Sequence, residues 1–336
     1  MTDTDAVDAR QSAFPWMLYQ SHHLGTTRSA RRRDGLYVGM LKEDLQNYRY
    51  SYDLSIIPHG VHEPRASQLL AALLEDFNHT SYDSGPAELV VEFAMRLLEE
   101  SSDGKEMTLE LHSADGRRRG RRSRHGRHTD DPDQRPGPLP TLGFIPQWSV
   151  TKHRTGLLQF APEAGHRPTP ISSSRLHSVS LRRENKRNWD RAIKGLRQVD
   201  TTDLGGYSTS RISWKGYEFS KQLTAQKLVI AASTAGIGWD ARGTFNDYVT
   251  SPYLTFRQLR FVKFWVESIE DSVSFLNQFT GNASLYGSDA FTFSLAGLPS
   301  PEDLLEAMDA VRSGSLNVKD AYDTFFYPKH AKSRID

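Results

Sequence analysis

Apolar residues fall into two rhythms along this sequence, a spacing of three and four over long stretches and a strict alternation in short ones. The first puts side chains on one side of a helix, the second on one side of a strand. Leu69, Leu70, Leu73, Leu74 and Phe77 predict a helix opened by Pro64 and running to about Asn78. Proline is accepted there because first-turn N–H groups have no intrahelical partner. Leu89, Val90, Phe93, Leu97 and Leu98 predict a second helix from Pro86 to about Glu100. Leu36 to Leu41 and Tyr50 to Ile57 read as short strands, the latter with Tyr50, Tyr52, Leu54 and Ile56 alternating. After an Asp103-Gly104 turn, Met107, Leu109 and Leu111 alternate as another strand. Thr141 to Val150 and Gly156 to Phe160 predict a strand pair, and Leu176 to Leu181 a further strand. A helix from about Asn185 to Val199 has Trp189, Ala192, Ile193 and Leu196 as its inner stripe. Arg187, Arg191 and Lys194 lie on another side, either as plain solvated surface or as a contact for phosphate.

The last third is the most legible. Gly216 to about Thr234 has helical composition, and its small Ala225, Ala231 and Ala232 permit close packing against another helix. Phe256 to about Phe279 predicts the longest helix, with Leu259, Val262, Val266, Ile269, Val273 and Leu276 along one seam. Phe261, Phe264, Trp265, Phe275 and Phe279 broaden its apolar surface, so it needs neighbours on several sides, from its own subunit or from another. Phe291, Phe293 and Leu295 alternate as a strand. Ser300 then caps a helix from Pro301 that ends near Ser313-Gly314, and Asn317 caps a final helix to about Phe326. The fold class is α+β, with mixed short strands ahead of long C-terminal helices. Four regions follow: an N-terminal α+β region, 1–113; an Arg/Pro-rich loop, 114–140; a β-rich continuation with one amphipathic helix, 141–213; and a mainly helical region, 214–336.

The 336 residues carry 42 Lys+Arg against 41 Asp+Glu, but the charge is segregated. Arg117, Arg118, Arg119, Arg121, Arg122, Arg124 and Arg127 lie between Gly116 and His128 with no acid among them, leaving 35 basic against 41 acidic residues elsewhere. This stretch and the prolines after it have almost no apolar surface to offset ordering, so a mobile arm is expected. Its function is either to neutralise nucleic-acid phosphates or none at all, a solvated insertion without a dedicated partner. Arg28, Arg31, Arg32 and Arg33 form a smaller cluster, expected to be flexible surface. The absence of cysteine excludes disulfides, thiolate zinc sites, iron–sulfur clusters and a cysteine nucleophile. The acidic start, Met1 to Arg10, lacks the features of a signal peptide, and no window approaches the ~18 apolar residues of a membrane span. A soluble, cytoplasmic protein without membrane contact is expected.

Motifs for chemistry are sparse. His59-x-x-His62 lies between strand and proline without the Glu of a metalloprotease helix, and His22-His23 offers less still. Gly236-x-Gly238 follows a helix, whereas a dinucleotide fingerprint follows a strand, and it reads as a helix terminator. Neither a P-loop nor a Gly-x-Ser-x-Gly elbow is present. The expectation is a non-enzyme without cofactor or metal.

The order of elements resembles the portal proteins of tailed bacteriophages. Ile269-Glu270-Asp271-Ser272-Val273-Ser274-Phe275-Leu276-Asn277 looks like that family's long helix, followed by the strand Phe291-Thr292-Phe293 and an acidic helix from Pro301 to Val311. Ser313-Gly314-Ser315-Leu316-Asn317-Val318-Lys319-Asp320-Ala321 is similar to its glycine-marked turn and closing helix. Ala87 to Leu111, Phe144 to Gln159 and Ile171 to Leu181 are similar in layout to its α+β wing. The chain departs from the family in being short, in having Lys319-Asp320 where an Asn-Glu pair is usual, and in carrying the arginine insertion. The resemblance implies a wing-like, portal-like fold in a divergent or prophage-derived relative. It further implies a homo-oligomeric ring for DNA passage, with a packaging ATPase and head-closure proteins as partners, in the cytoplasm or the virion. On that reading the seam from Leu259 to Leu276 packs subunits and the arginines touch DNA loosely. The alternative is a cytosolic, non-catalytic nucleic-acid-binding accessory protein acting through the arginine loop.

Overall fold

The computed structural model describes residues 35–77, 85–101, 106–112, 139–145, 150–153, 156–159, 169–205, 219–240 and 251–326. Its chain order is α1 (Leu36–Tyr48), β1 (Ser55–His59), α2 (Glu63–Leu73), α3 (Pro86–Glu100), β2 (Met107–His112), β3 (Thr141–Ile145), β4 (Val150–His153), β5 (Gly156–Gln159), β6 (Thr169–Ser172) and β7 (Leu176–Val179). There follow α4 (Arg183–Gly205), α5 (Phe219–Thr234), α6 (Pro252–Thr280), the single turn α7 (Ala283–Tyr286), β8 (Thr292–Ala296), α8 (Pro301–Ser313) and α9 (Val318–Ala321), which closes in a π turn at Tyr322–Phe326. The fold is α+β, and the described residues form three small antiparallel sheets in the orders β1-β8, β3-β2-β7 and β4-β5-β6.

The long helix organises the core. Leu259, Val262, Val266, Ile269 and Leu276 are at most 1% exposed, and Val273 is partly buried against the same cluster. Trp189 of α4 stacks on Phe264 at 5.8 Å, Phe93 of α3 on Phe275 at 5.9 Å, and Tyr52 on Trp265 at 5.6 Å. The continuous apolar cluster extends from Val38 to Phe326. α6 therefore meets its neighbours inside its own chain.

Three expected strands come out differently. Leu36 to Leu41 is the first half of helix α1, because Val38, Leu41, Leu45 and Tyr48 recur at three, four and three and all face the core. Thr141 to Val150 is two strands in separate sheets, β3 paired with β2 and β4 paired with β5. Pro146 between them has no N–H to donate to a ladder. The strand expected over Tyr50 to Ile57 starts later and ends later, at Ser55–His59, with Tyr50 exposed in the turn Arg49–Ser51. Pro58 is tolerated there because it opposes Phe293, whose backbone N–H and C=O are both turned to the Asn277 side chain, at 2.9 Å each.

The helix ends follow their sequence signals. Ser300 Oγ accepts the Asp303 N–H at 3.0 Å while the Asp303 carboxylate accepts the Ser300 N–H at 3.2 Å. Gly314 ends α8 with φ +80, which glycine adopts without a Cβ penalty. Asn317 Oδ1 caps α9 through the Asp320 N–H at 2.8 Å. Gly238, with φ +84, stops the turn after α5 as a terminator.

Polar locks tie the elements together. Arg182, just ahead of α4, donates to Asp271 Oδ1 at 2.9 Å, Glu270 Oε2 at 3.1 Å and Glu267 Oε1 at 3.2 Å on α6, and its backbone N–H donates to Asp271 Oδ2 at 2.8 Å. Burial alone would lower the guanidinium pKa, but these carboxylates outweigh it and raise it. Glu267 is buried and also accepts from Lys263 at 2.7 Å and Asn185 at 3.1 Å. Arg182→Ala is expected to lower unfolding stability by about 1–3 kcal/mol, read as a fall in urea midpoint at unchanged m-value.

On the sheet β3-β2-β7, the buried Leu109 pairs with both Phe144 and His177; Arg96 of α3 lies over the Phe144 ring at 4.3 Å, and His177 is edge-on to Phe279 of α6 at 4.8 Å. His177 Nε2 is buried without a hydrogen-bond partner among the described residues, and desolvation lowers its pKa below the ordinary imidazole value. The folded protein thus binds that proton less readily than the unfolded chain, so stability is full above about pH 6.5 and is lost as pH falls below it. His177→Phe should flatten the acid limb of a pH–stability curve; an unchanged slope counts against this assignment.

Candidate nucleic-acid interface

α4 is held on two sides, and this decides which side is left over. Its inner stripe, Asn185, Trp189, Ala192, Ile193, Leu196 and Val199, is buried. Asp271 anchors its start by accepting the Arg182 N–H, a carboxylate placed where the helix dipole favours one. Gly195 brings α5 close, since a Cβ there would lie 2.2 Å from the Cβ of Ser233. What remains outside is basic. Arg183, Arg187, Arg191 and Lys194 are exposed, and none forms an ion pair with a described residue. Glu184 and the half-buried Asp190 lie beside them. Spacings of four, four and three put the cations along about 16 Å of helix. Duplex nucleic acid offers a phosphate about every 3.4 Å of axis on each strand.

Arg117, Arg118, Arg119, Arg121, Arg122, Arg124 and Arg127 lie outside the described residues, as do Arg28 and Arg31 to Arg33. The described chain fixes where the arginine segment is attached. It joins β2 to β3, and His112 pairs with Thr141, so the chain leaves and re-enters the fold at adjacent positions. Below that point Glu110 is buried, with Arg175 Nη1 at 3.1 Å, and bare Gly143 opposite it makes room for the ends of His112 and Asp76.

The seam Leu259, Val262, Val266, Ile269, Val273 and Leu276, expected as packing for a second copy, is instead used within the subunit. Leu259, Val262, Val266, Ile269 and Leu276 have almost no exposed surface to offer a neighbour, and Val273 is partly covered. His59 and His62 are both exposed, and among the described residues no group of three or more His, Asp or Glu could hold a metal ion. No helix of the described residues is long and apolar enough to cross a membrane. Arg183, the first member of the α4 stripe, extends the Arg187–Arg191 spacing backwards by four and was legible from that periodicity alone. The chain matches no protein-family model, no curated protein and no solved structure.

Gly195→Ala tests how the basic face is oriented. The added methyl group must push Ser233 away, so a loss of about 1–3 kcal/mol in chemical denaturation is expected, with partial recovery in the double variant Gly195→Ala, Ser233→Gly.

Proposed function

We propose that this chain is a non-catalytic nucleic-acid-binding protein that holds the phosphate backbone and does not read bases. The observation that carries this reading is the outer face of α4, where four cations lie in register without ion-pair partners among the described residues. The seven arginines between β2 and β3 add sequence-independent attraction from a second place on the chain. A cytoplasmic setting suits such a protein.

A second, narrower reading is a portal-like ring for DNA passage, with a packaging ATPase and head-closure proteins as partners, in a virion. It is supported by the succession α6, β8, α8, Gly314 and α9, the order of elements on which the resemblance to portal proteins rests. It requires contacts between copies that do not use the buried seam of α6.

Labelled duplex DNA titrated against three proteins tests both. Arg187→Glu with Arg191→Glu should bind at least tenfold more weakly than wild type at low salt, with the slope of log K against log salt reduced by about two. Removal of residues 116–128 should reduce affinity and slope independently. Unchanged affinity and slope in both variants overturn phosphate binding. Light scattering of the wild type separates the readings, since a ring gives a multiple of the 38.0 kDa chain mass and an accessory protein gives a small species.

A further inference from the structure

A groove of about 800 Å³ opens between α8, the β8–α8 connection and the closing π turn. Its wall is the α8 stripe Asp303, Glu306, Ala307 and Ala310, and its apolar lining includes Leu298, Leu316 and Phe325. The two small alanines keep the floor low. The turn is tied back by the Tyr52 hydroxyl, which donates to the Phe325 carbonyl.

Among the described residues, Asp303 and Glu306 are the only charged side chains lining the groove, and both are acids. They do not have the same task. The Asp303 carboxylate is engaged by the Ser300 N–H in the capping box. Glu306 is exposed and makes no ion pair or hydrogen bond with a described residue. Glu302, one turn before it and also exposed, adds to the negative rim. The cation of this helix, Arg312, is turned elsewhere, 3.4 Å from Asp309 and over the Phe256 ring at 5.2 Å. A volume of this size lies within the range of about 300–1,000 Å³ typical of ligand sites.

We infer that this groove docks a basic peptide segment of a partner protein, with an apolar side chain on the Ala307–Ala310 floor and a flanking Lys or Arg on Glu306. Charge complementarity selects the cation. The apolar lining requires more than a cation, because a lysine or arginine alone would leave Leu298, Leu316 and Phe325 facing water. This inference does not depend on the nucleic-acid reading, since none of its residues belongs to α4 or the arginine segment.

The test uses the full-length protein and a fluorescein-labelled peptide Lys-Leu-Arg-Phe-Lys, followed by anisotropy. Trp265, stacked on the groove-lining Tyr52, serves as an intrinsic reporter. Micromolar, salt-sensitive binding is expected, weakened about tenfold or more by Glu306→Lys and by Ala310→Leu, which fills the floor while leaving the rim acidic. Circular dichroism and the urea midpoint verify that both variants fold, and Asp303 is left intact to preserve the cap. Three results overturn the inference. One is equal binding to wild type and both variants. Another is an oligo-lysine peptide binding as tightly as the amphipathic one, which marks plain counter-ion attraction. The third is self-association of the wild type in light scattering that Glu306→Lys abolishes, which makes a second copy the occupant.

Discussion

A helix of 29 residues that is apolar on several sides cannot stand at the edge of a protein. α6 must be covered along its ~44 Å, and most of the fold is the means of covering it. α3, α4, α8 and the β1-β8 pair pack around it, with aromatic rings at the crossings: Trp189 on Phe264, Phe93 on Phe275 and Tyr52 on Trp265. Each such ring buries a large apolar area at the cost of few rotamers, so the crossings are where covering stabilises most. The subunit satisfies this constraint by itself.

Polar groups on so apolar a helix are expensive unless each is answered, and two of them show how the answers fix geometry. Glu267 is buried and collects Arg182, Asn185 and Lys263, so the start of α4 has one favourable position along α6. Arg257 is 5% exposed and places its guanidinium at the end of α5, donating to Thr234 Oγ1 at 2.9 Å and to the Trp239 carbonyl. A cation at a helix C-terminus meets the negative end of the dipole and the carbonyls that lack intrahelical partners. Hydrophobic contact gathers α4, α5 and α6; the ionic and carbonyl contacts set their registry. The basic face of α4 is a consequence of that registry, because rotating the helix would bury a charge or expose Trp189.

Much of this was legible in the sequence, and the rest fails for definite reasons. The Pro301 helix carries its own local signals, Ser300 with Asp303 at one end and Gly314, whose N–H reaches the Ala310 and Val311 carbonyls, at the other, and its ends follow them. Leu36 to Leu41 carries no such signal. Five apolar residues around Gly39 fit a strand or a helix, and only Leu45 and Tyr48 downstream decide between them. Thr141 to Val150 reads as one strand because sheet membership is a matter of partners distant in sequence, β2 for one half and β5 for the other. The α6 stripe was visible, but periodicity states that a face is covered and not by whom. The Arg182 lock was readable in part: Glu267, Glu270 and Asp271 form an acidic stripe at spacings of three and four on a greasy helix, which calls for a cation. Nothing local names that cation as Arg182.

A chain with 42 basic and 41 acidic side chains could be expected to carry no directed field. Screening removes that expectation, because at physiological salt a charge is felt over only about 8–10 Å. The stripe from Arg183 to Lys194 and the rim at Glu302 and Glu306 belong to different helices and each acts on what comes within that range. Opposite patches on one nearly neutral molecule can then recruit opposite partners without either being cancelled by the net charge. Binding at either patch would be salt-sensitive, as binding at a purely apolar interface is not. That shared sensitivity follows from the two surfaces having been left outside by a core that recruits apolar side chains first and places charge wherever packing permits.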